Sequence, residues 1–420
     1  MDETPVVTCL LRHGPRVLLL RRSEAVGSYA GRWGAVAGHV APGPGESGEA
    51  TPEAAARREI AEETGLTDAV TPVRRGDPFA VADDDLGTRW RVHPFLFDCE
   101  STDVATNEET AAHEWVHATA ILDWDTVPDL WRSYDAVRPT VETVRADESH
   151  GSAYLSLRAV EVLRDEAGAA AHGVTDASWD DVAATARALR DARPAMTAVR
   201  TRVDRTMATA EARTPAAVER AARAVLDDAA DADERAARAV TDRLSGHVVT
   251  CSRSGTVLAA LRAADVDAVT VAESRPGGEG VGVAEALAAD GLDVTLAGDA
   301  AVPGLVADAD AVLVGADAVH PDGTVVNKVG TFPLALAAAR AGVPCLAVCA
   351  ADKVGPAGGR PDAAAAEPLY DGDAALSVAN PVFEGTPGDL VTVVTEDGAL
   401  DADAVGALAG THAALAEWDS

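Results

Sequence analysis

Short apolar runs separated by turn residues dominate the first 130 residues, and this pattern indicates β-strands. Residues 5–22 are typical of two apolar strands around a His-Gly-Pro turn. A Gly-, Pro- and Glu-rich stretch follows, and then TPEAAARREIAEETGL. Thr51 suits a helix N-cap, Pro52 suits the first turn, and Gly65 is placed to end the helix. With the strand-like stretch RWRVHPFLFDC, the region is predicted to be a compact α+β unit.

The pattern changes near residue 131 and again near residue 246. Between these points the apolar residues recur at three- and four-residue steps, which predicts amphipathic helices. After residue 246, apolar runs such as AVTVAES and AVLVGAD alternate with Ala- and Leu-rich stretches, which predicts a mostly parallel sheet with helices on its faces. We therefore expect a multidomain protein of the α/β and α+β classes, with domains at 1–130, 131–245 and 246–420.

The net charge of the chain limits the classes of partner that it can bind. Acidic residues number 68 against 35 basic ones, which gives a net charge of −33. Such a surface repels nucleic acid and anionic membranes, so we expect neither as a general partner. Lys328 and Lys353 are the two lysines of the chain, and every other basic residue is arginine. This composition is typical of halophilic, archaeal-like proteins, for which high salt screens self-repulsion.

The cysteines and the apolar segments indicate in which compartment the protein is expected. Five cysteines are scattered without a CxxC pair, which argues against a disulfide framework and a structural zinc site. The N-terminal residues show no signal-peptide pattern, and no stretch approaches the ~20 apolar residues of a membrane span. We expect a cytoplasmic protein.

Three glutamates share one face of the predicted first helix. Glu59, Glu62 and Glu63 stand at i, i+3 and i+4, so they form one patch. Carboxylates this close repel each other unless a cation lies among them, and their hard oxygens suit Mg²⁺ or Mn²⁺. In so acidic a chain a solvated acidic face is the alternative. A strand, a Gly-rich loop and a capped helix lead directly into the carboxylates, and this context favours the metal site.

The stretch GHVAPGPGESGEATPEAAARREIAEETGL resembles a Nudix box, and GRWGAVAGHV resembles the segment that precedes one. The resemblance implies an α/β/α sandwich and Mg²⁺- or Mn²⁺-dependent hydrolysis of a nucleoside diphosphate linked to another group. It implies metal binding by the three glutamates, and structural roles for Gly38, Arg58 and Gly65, with Arg58 bracing the loop. In the loop half, Ala50 stands where a glutamate is usual and Glu49 lies one residue earlier.

A second group of polar residues is predicted at the carboxyl ends of the parallel strands, where ligands bind in such sheets. Cys251 follows one strand, and Asp317 follows another. A helix N-terminus with small residues binds anions, and further cations could hold a second anion. The predicted binding residues are Arg253, Gly255, Arg275, Asn327 and Lys328.

Plainer interpretations apply to several of these residues. A lone cysteine after a strand is usually a small buried hydrophobe. An aspartate there often only forms a turn, which is our expectation for Asp299. For Lys328 a functional role is favoured, since the chain uses arginine at nearly every other basic position. The compact ammonium of lysine is not equivalent to a guanidinium.

The stretches TCSRSGTVLAAL, VLVGADAVHPDGTVVNKVGT and AADKVGP resemble one superfamily. It contains the alpha, beta and delta subunits of translation initiation factor 2B, and the methylthioribose-1-phosphate and ribose-1,5-bisphosphate isomerases. The resemblance implies a helical subdomain followed by a Rossmann-like domain, a homo-oligomer formed through this module, and no cofactor. It implies proton transfer by Cys251 and Asp317 on a phosphorylated small metabolite.

One feature departs from the isomerases. Their Arg-Gly-Ala-Gly-like phosphate motif is replaced by His150-Gly151-Ser152-Ala153, which lacks an arginine. His150 could partly replace it, although a surface histidine before a helix is the plainer interpretation. Two hypotheses stand: a bifunctional hydrolase and sugar-phosphate isomerase, most simply for ribose 1,5-bisphosphate, or a non-catalytic sensor that regulates the Nudix domain or a translation factor.

Overall fold

The computed structural model describes residues 3–41, 51–67, 69–83, 87–147, 149–356, 369–372 and 374–420. Two compact units make up the chain. The first contains Met1–Thr140, Glu161–Val182 and Glu211–Arg223, and the second contains Val141–Val160, Ala183–Ala210 and Ala224–Ser420. The domain boundaries predicted at residues 130 and 245 stay predictions.

A mixed sheet forms the centre of the first unit. Its strands are β1 (Glu3–His13), β2 (Arg16–Arg22), β3 (Trp33–Gly34), β4 (Val36–His39), β5 (Val70–Arg75), β6 (Phe79–Asp83), β7 (Thr88–Cys99) and β8 (Thr110–Val116). The order is β3-β2-β1-β7-β5, with β4 on β1, β6 on β7 and β8 on β2. The two long central strands, β1 and β7, are parallel, and the other pairs are antiparallel.

Helices cover both faces of this sheet: α1 (Pro52–Thr64), α2 (Ala120–Asp123) and α3 (Leu130–Asp135). Successive residues of a strand point to opposite faces. Cys9 therefore packs in the cluster that contains Ile60 of α1, whereas Leu10 packs in the cluster that contains Ile121 and Leu130. The predicted α/β/α sandwich is confirmed.

Helices follow where the three- and four-residue apolar steps predicted them: α4 (Val141–Ala146), α5 (Ser152–Ala171), α6 (Trp179–Ala192), α7 (Thr197–Thr209) and α8 (Pro215–Thr241). In α8 the buried residues Val218, Ala222, Leu226 and Ala229 lie at these steps. Within the described part of the chain, none of the helices combines the length and the hydropathy that a membrane span needs.

A second sheet forms the centre of the second unit. The strands that follow α8 are β9 (Ser245–Thr250), β10 (Asp265–Ala272), β11 (Asp293–Ala297), β12 (Ala311–Gly315), β13 (Ala318–Val319), β14 (Val325–Lys328), β15 (Cys345–Val348), β16 (Phe383–Thr386), β17 (Thr392–Thr395) and β18 (Gly398–Leu400). The main sheet has the order β11-β10-β9-β12-β15-β17-β18, parallel except for β17–β18. Counted from β9, its parallel strands run 3-2-1-4-5-6, the Rossmann order, and the switch point lies between β9 and β12. The Rossmann-like prediction is confirmed.

Apolar clusters fill both faces of this sheet. The helices after β9 are α9 (Gly255–Ala263), α10 (Gly280–Ala289), α11 (Val302–Leu305), α12 (Thr331–Ala341) and α13 (Ala402–Ala414). One cluster contains Leu261 and Leu287, from α9 and α10, and the other contains Leu334 and Val405, from α12 and α13. A small antiparallel sheet, β13-β14-β16, carries Asn327 and Lys328 at the end of β14.

Candidate functional sites

Helix α1 carries the three glutamates, and its ends are fixed by local capping. Thr51 Oγ1 accepts a hydrogen bond from the Ala54 N–H at 3.2 Å. Gly65 ends the helix at φ 70°, where glycine is favoured, and its N–H donates to the Ala61 carbonyl. The last two turns therefore hold Glu59, Glu62 and Glu63.

Two of these carboxylates are withdrawn from solvent. The side chains of Glu63 and Glu59 are 8% and 15% exposed, whereas Glu62 is exposed. Burial raises the pKa of Glu63 to about 8, and the charge of Glu59 adds to the rise. Burial also raises the pKa of Glu59, against a hydrogen bond from Arg58. Ionising both Glu59 and Glu63 therefore costs free energy, because the nearby positive charge does not offset burial and mutual repulsion.

The donor chemistry of this pair fits a divalent cation. Carboxylate oxygens are preferred ligands of Mg²⁺ and Mn²⁺, and a cation there would offset the repulsion between Glu59 and Glu63. Within the described ranges, no three or more His, Cys, Asp or Glu side chains are already arranged to hold a metal ion. Glu62 would have to turn inward to join. Glu49 and Ala50 lie outside the described residues.

Gly38 and Arg58 position Glu59. A Cβ built on Gly38 would overlap the Glu59 carboxyl group, so glycine is needed for this close approach. Arg58 donates to the carbonyls of His39 and Ala41 at 3.1 and 3.0 Å, and to Glu59 Oε1 at 3.1 Å. Arg58 thus ties the end of β4 and the chain that follows it to helix α1.

A cavity of about 740 Å³ opens beside Glu59, within the usual volume of small-molecule sites. Gly38, His39, Arg58 and Glu59 line it together. Aromatic and apolar side chains contribute much of the remaining lining, among them Tyr29, Val81, Trp90 and Val92.

The second site lies at the switch point of the Rossmann-like sheet. Cys251 directly follows β9, and Asp317 follows β12 by two residues. These strands are parallel neighbours, so both residues lie at the same edge of the sheet, where such folds bind ligands.

The thiol of Cys251 is buried and contacts Thr331. Its Sγ lies 3.6 Å from Thr331 Oγ1, and the residue is 2% exposed. Burial raises the pKa of Cys251 to about 11, while the Thr331 contact and the charge of Lys328 act against the rise. The resting group is therefore a protonated thiol near neutral pH.

Both lysines of the chain act on Asp317. Burial raises the pKa of Asp317, whereas the charges of Lys353 and Lys328 lower it. Lys328 and Lys353 are only 2% and 7% exposed. The chain thus keeps its two lysines for buried positions around one carboxyl group. Lys353 also donates to the Ala316 carbonyl at 2.8 Å.

Thr331 links Asn327 and Lys328 to the thiol. Asn327 Nδ2 donates to Thr331 Oγ1 at 2.9 Å, and Thr331 Oγ1 donates to the Lys328 carbonyl at 2.7 Å. The Lys328 ammonium donates to Glu279 Oε1 at 2.8 Å and to the Pro276 carbonyl. The predicted residues Cys251, Asn327 and Lys328 therefore form one buried group, and the half-buried Asp317 lies within reach of the Lys328 charge.

The remaining predicted residues lie at its exposed margin. Arg253 and Gly255 are exposed at the start of α9, which is capped by Ser254. The Arg275 side chain is 56% exposed and pairs with Glu273 at 2.8 Å. Asp299 accepts the N–H groups of Ser274 and Arg275 at 2.6 and 2.7 Å, the contacts of a turn-forming residue.

His150 makes local surface contacts. Its Nδ1 lies 2.8 Å from Asp147 Oδ2, its ring stacks on Tyr154 at 3.9 Å, and the residue is exposed. This geometry is that of a surface histidine before a helix.

Sequence reasoning missed three residues of the second site: Glu279, Thr331 and Lys353. Lys353 carried a signal, because it is one of two lysines in the chain. Thr331 stands three residues after Lys328, which suits a contact where α12 begins. Glu279 carried no signal, since its partner lies 49 residues away.

Comparisons with known proteins match two separate parts of the chain. Residues 148–402 match the model of the Initiation factor 2 subunit family, and residues 2–137 match the NUDIX domain. Two solved structures share the fold of the larger part. One is the Pyrococcus horikoshii translation initiation factor eIF-2B, with a TM-score of 0.52 and 22% identity over 62% of this chain and 94% of that chain. The other is the tetrameric eIF2B-beta2-delta2 complex from C. thermophilum, with a TM-score of 0.51 and 17% identity over 70% of this chain and 97% of that chain.

Curated relatives include isomerases. The ribose 1,5-bisphosphate isomerase of Haloferax volcanii is 31% identical over 65% of this chain and 91% of the relative. That of Archaeoglobus fulgidus is 35% identical over 31% of this chain and 45% of the relative. The methylthioribose-1-phosphate isomerase of Alkalilimnicola ehrlichii is 36% identical over 35% of this chain and 48% of the relative. The chain spans less than half the length of the last two. The match over residues 148–402 shows that the chain belongs to the Initiation factor 2 subunit family, and a NUDIX domain precedes this part.

Proposed function

We propose that the initiation factor 2B-like part of the chain is an aldose–ketose isomerase for a sugar 1-phosphate. One observation carries the proposal: a thiol and a carboxyl group flank the switch point, and both lysines of the chain act on the carboxyl group. Burial and the two lysines act on the pKa of Asp317 in opposite directions, and such a balance suits a proton-transfer group.

The reaction needs one proton held by the Cys251–Asp317 pair. Whichever group holds it protonates the ring oxygen O4 as the C1–O4 bond breaks. The other group removes the proton from C2, and the C–H electron pair forms the C1=C2 bond of an enol phosphate. Return of that proton to C1, with transfer of the C2 hydroxyl proton to the first group, leaves the ketone at C2. Both groups end in their starting states.

Ribose 1,5-bisphosphate is the proposed substrate, and ribulose 1,5-bisphosphate the product. The Haloferax volcanii relative, of which the chain covers 91%, bears the name of this isomerase. Lys328 and Lys353 supply positive charge close to the reacting carbons. The start of α9, at Arg253 and Gly255, offers N–H groups and a cation to a phosphate, and Arg275 and Asn327 complete the proposed binding set.

A sensor is the second candidate, and the Lys328–Glu279 ion pair favours it. A lysine already paired with a carboxylate at 2.8 Å has less charge to offer a phosphate. The absence of an arginine from His150–Ala153 acts in the same direction. Such a module would bind a phosphorylated metabolite without turnover, and would regulate the NUDIX domain or a translation factor.

Turnover by the unmodified protein separates the two. We would supply ribose 1,5-bisphosphate at saturating concentration in molar KCl and measure ribulose 1,5-bisphosphate, with methylthioribose 1-phosphate in parallel. Formation of the ketose bisphosphate supports the isomerase. Calorimetric binding of the sugar phosphate with no product would reject it in favour of the sensor.

For the NUDIX domain we propose metal-dependent hydrolysis of a nucleoside diphosphate derivative. When bound, Mg²⁺ or Mn²⁺ would neutralise the diphosphate and make a water molecule more acidic. Glu59 and Glu63 would hold it, Glu62 would complete the set, and Arg58 keeps Glu59 turned into the cavity. Water adds to one phosphorus as the bridging P–O bond breaks, which gives two phosphorylated products.

We also propose that the protein is a homo-oligomer formed through its C-terminal module. The C. thermophilum structure with the same fold is described as a tetrameric complex. Light scattering in molar salt tests this, and a mass of 43 kDa would identify a monomer and reject it.

A further inference from the structure

Trp90 and several apolar side chains line one side of the NUDIX-domain cavity. Alternate residues of β7, Thr88, Trp90 and Val92, all line it, since they share one face of the strand. Val81 of β6 lies directly opposite Trp90, and Val6 of β1 lies opposite Val92. Both valines also line the cavity. Cross-strand neighbours thus place apolar side chains next to the indole of Trp90 in the lining.

Trp90 is also fixed from the sides. The His39 ring contacts it edge-on, with centroids 5.8 Å apart, and His39 lines the cavity together with Glu59. The Tyr29 hydroxyl donates to Asp83 Oδ2 at 2.5 Å. Burial and Asp83 raise the pKa of Tyr29 to about 12, against a smaller opposite effect of the neighbouring Trp90. Tyr29 is therefore a neutral phenol beside the indole.

The backbone at Tyr29 is also constrained. Its φ is 53°, a left-handed conformation that is uncommon for residues other than glycine. Arg22 Nε donates to the Ser28 carbonyl at 2.9 Å and holds this segment against the cavity. Tyr29 has an unfavourable backbone conformation, and its hydroxyl is bonded to Asp83. The fold therefore determines the position of its side chain.

The charges of the lining limit what the cavity can accept. It carries two arginines, Arg22 and Arg58, and two glutamates, Glu59 and Glu109. Arg58 is already bonded to the chain that follows β4. This amount of positive charge suits one metal-bound diphosphate and is too small for a polyphosphorylated ring. The indole of Trp90 suits a flat π-system better than an alkyl chain, because aromatic stacking adds to plain apolar contact.

We propose that Trp90 is the stacking platform for the nucleobase of the diphosphate substrate, and that Tyr29, held by Asp83, positions this platform. The inference rests on the proposed hydrolase function, since it assigns the part of the substrate that the metal does not hold. Trp90 is then the residue that makes the site select aromatic nucleoside diphosphates over alkyl diphosphates and inositol polyphosphates.

Direct binding tests the platform without hydrolysis. Titration calorimetry would compare adenosine 5′-monophosphate with ribose 5-phosphate, in metal-free buffer at molar KCl. We expect the nucleotide to bind more tightly, and Trp90→Ala to weaken its binding roughly 10- to 100-fold, the range seen when stacked aromatics are truncated. Trp90→Phe should stay within about threefold, because a π-face remains. Trp131→Phe, at a tryptophan that packs on Tyr134 in α3, is the matched control and should change nothing.

Hydrolysis gives a second readout. With a nucleoside diphosphate sugar, Trp90→Ala should raise KM by roughly 10- to 100-fold and leave kcat within about threefold, because stacking binds the ground and transition states alike. Tyr29→Phe should raise KM less, roughly threefold. Isopentenyl diphosphate should be a poor substrate for the parent and for Trp90→Ala.

The outcomes separate this inference from the function on which it rests. Unchanged nucleotide binding in a folded Trp90→Ala protein overturns the platform. Loss of kcat alone, at constant KM, also overturns it and leaves the hydrolase intact. If the parent hydrolyses no diphosphate, yet nucleotide binding is lost in Trp90→Ala and kept in Trp90→Phe, the platform stands and the proposed hydrolase fails.

Discussion

Both candidate sites contain a carboxyl group whose pKa is raised by burial, but the charges around these carboxyl groups differ. In the NUDIX domain two glutamates lie side by side, and burial and mutual repulsion raise the pKa of Glu63 to about 8. In the Rossmann-like domain burial raises the pKa of Asp317, but Lys353 and Lys328 act against the rise. At the glutamates the nearby arginines do not offset burial and repulsion, whereas two lysines act on Asp317.

This difference separates the chemistry available to each site. A carboxylate pair whose neighbouring arginines do not offset its burial is suited to take up a divalent ion, because the ion removes the repulsion that opposes ionisation. A carboxyl group balanced between burial and two ammonium groups is suited to exchange a proton without a metal. Chelation should therefore stop the reaction at the glutamates and leave the reaction at Cys251 and Asp317 unchanged.

The largest expected effect is at the glutamates. Glu62→Gln combined with Glu63→Gln should abolish Mg²⁺-dependent diphosphate hydrolysis, since the amides cannot offer the negative charge that binds the ion. Ketose bisphosphate formation by the same protein should be unchanged. Glu53→Gln, at an exposed position of the same helix, is the control. Normal hydrolysis by the double variant would refute the metal-helix assignment.

A somewhat smaller loss is expected at Cys251 and Asp317. Cys251→Ser and Asp317→Asn should each lower isomerase turnover by ~10²–10⁴-fold, the usual contribution of a proton-transfer group, and leave sugar-phosphate binding within a few-fold. EDTA should not reproduce either loss. Asp293→Asn, at an exposed position in β11, is the control. Turnover within a few-fold of the parent in both variants would contradict the assigned roles.

Glu63 should also make stability depend on pH and metal. Its folded pKa, about 8, lies above the ordinary value of 4.5, so the folded state binds more protons than the unfolded state between these values. The free energy of unfolding should therefore fall as pH rises through this window, by at most about 1.4 kcal/mol per pH unit. Mg²⁺ binds the ionised form and should remove part of the fall.

Denaturant unfolding at pH 5 and pH 8, with and without Mg²⁺, measures this effect. Glu63→Gln is the informative control, because it removes the titrating group and keeps the shape of the side chain. The difference in slope between the parent and this variant isolates Glu63 from the other acidic residues. Equal slopes in the two proteins would show that Glu63 titrates normally.

Local signals explain why much of this could be predicted from the sequence. The caps at Thr51 and Gly65 act within a few residues, so α1 and its three glutamates lie where the pattern placed them. Strand periodicity and alternation with helices likewise placed Cys251 and Asp317 at the edge of a parallel sheet. These features can be predicted from the sequence because each helix or strand has a regular geometry.

Long-range contacts explain what could not be predicted. The pairing of β1 with β7 joins residues more than eighty positions apart, and no local pattern encodes it. The burial of Lys353 and the ion pair of Lys328 with Glu279 depend on how separate strands and loops pack. For the same reason, the exposure of Glu62 and the cavity lining around Trp90 could be seen only in the folded chain.

The smallest expected effect tests why lysine is kept at position 328. The Lys328 side chain is 3% exposed, and its ammonium is enclosed by Glu279 and the Pro276 carbonyl. A guanidinium is larger and planar, so Lys328→Arg should misplace the charge and weaken sugar-phosphate binding roughly tenfold, or about 1.4 kcal/mol. Turnover at saturating substrate should fall less, because Cys251 and Asp317 remain. Arg340→Lys, the reverse exchange at an exposed position of α12, should have no effect. Calorimetric titration of ribose 1,5-bisphosphate measures both variants, and equal affinity in Lys328→Arg and the parent would show that the ammonium serves only the ion pair with Glu279.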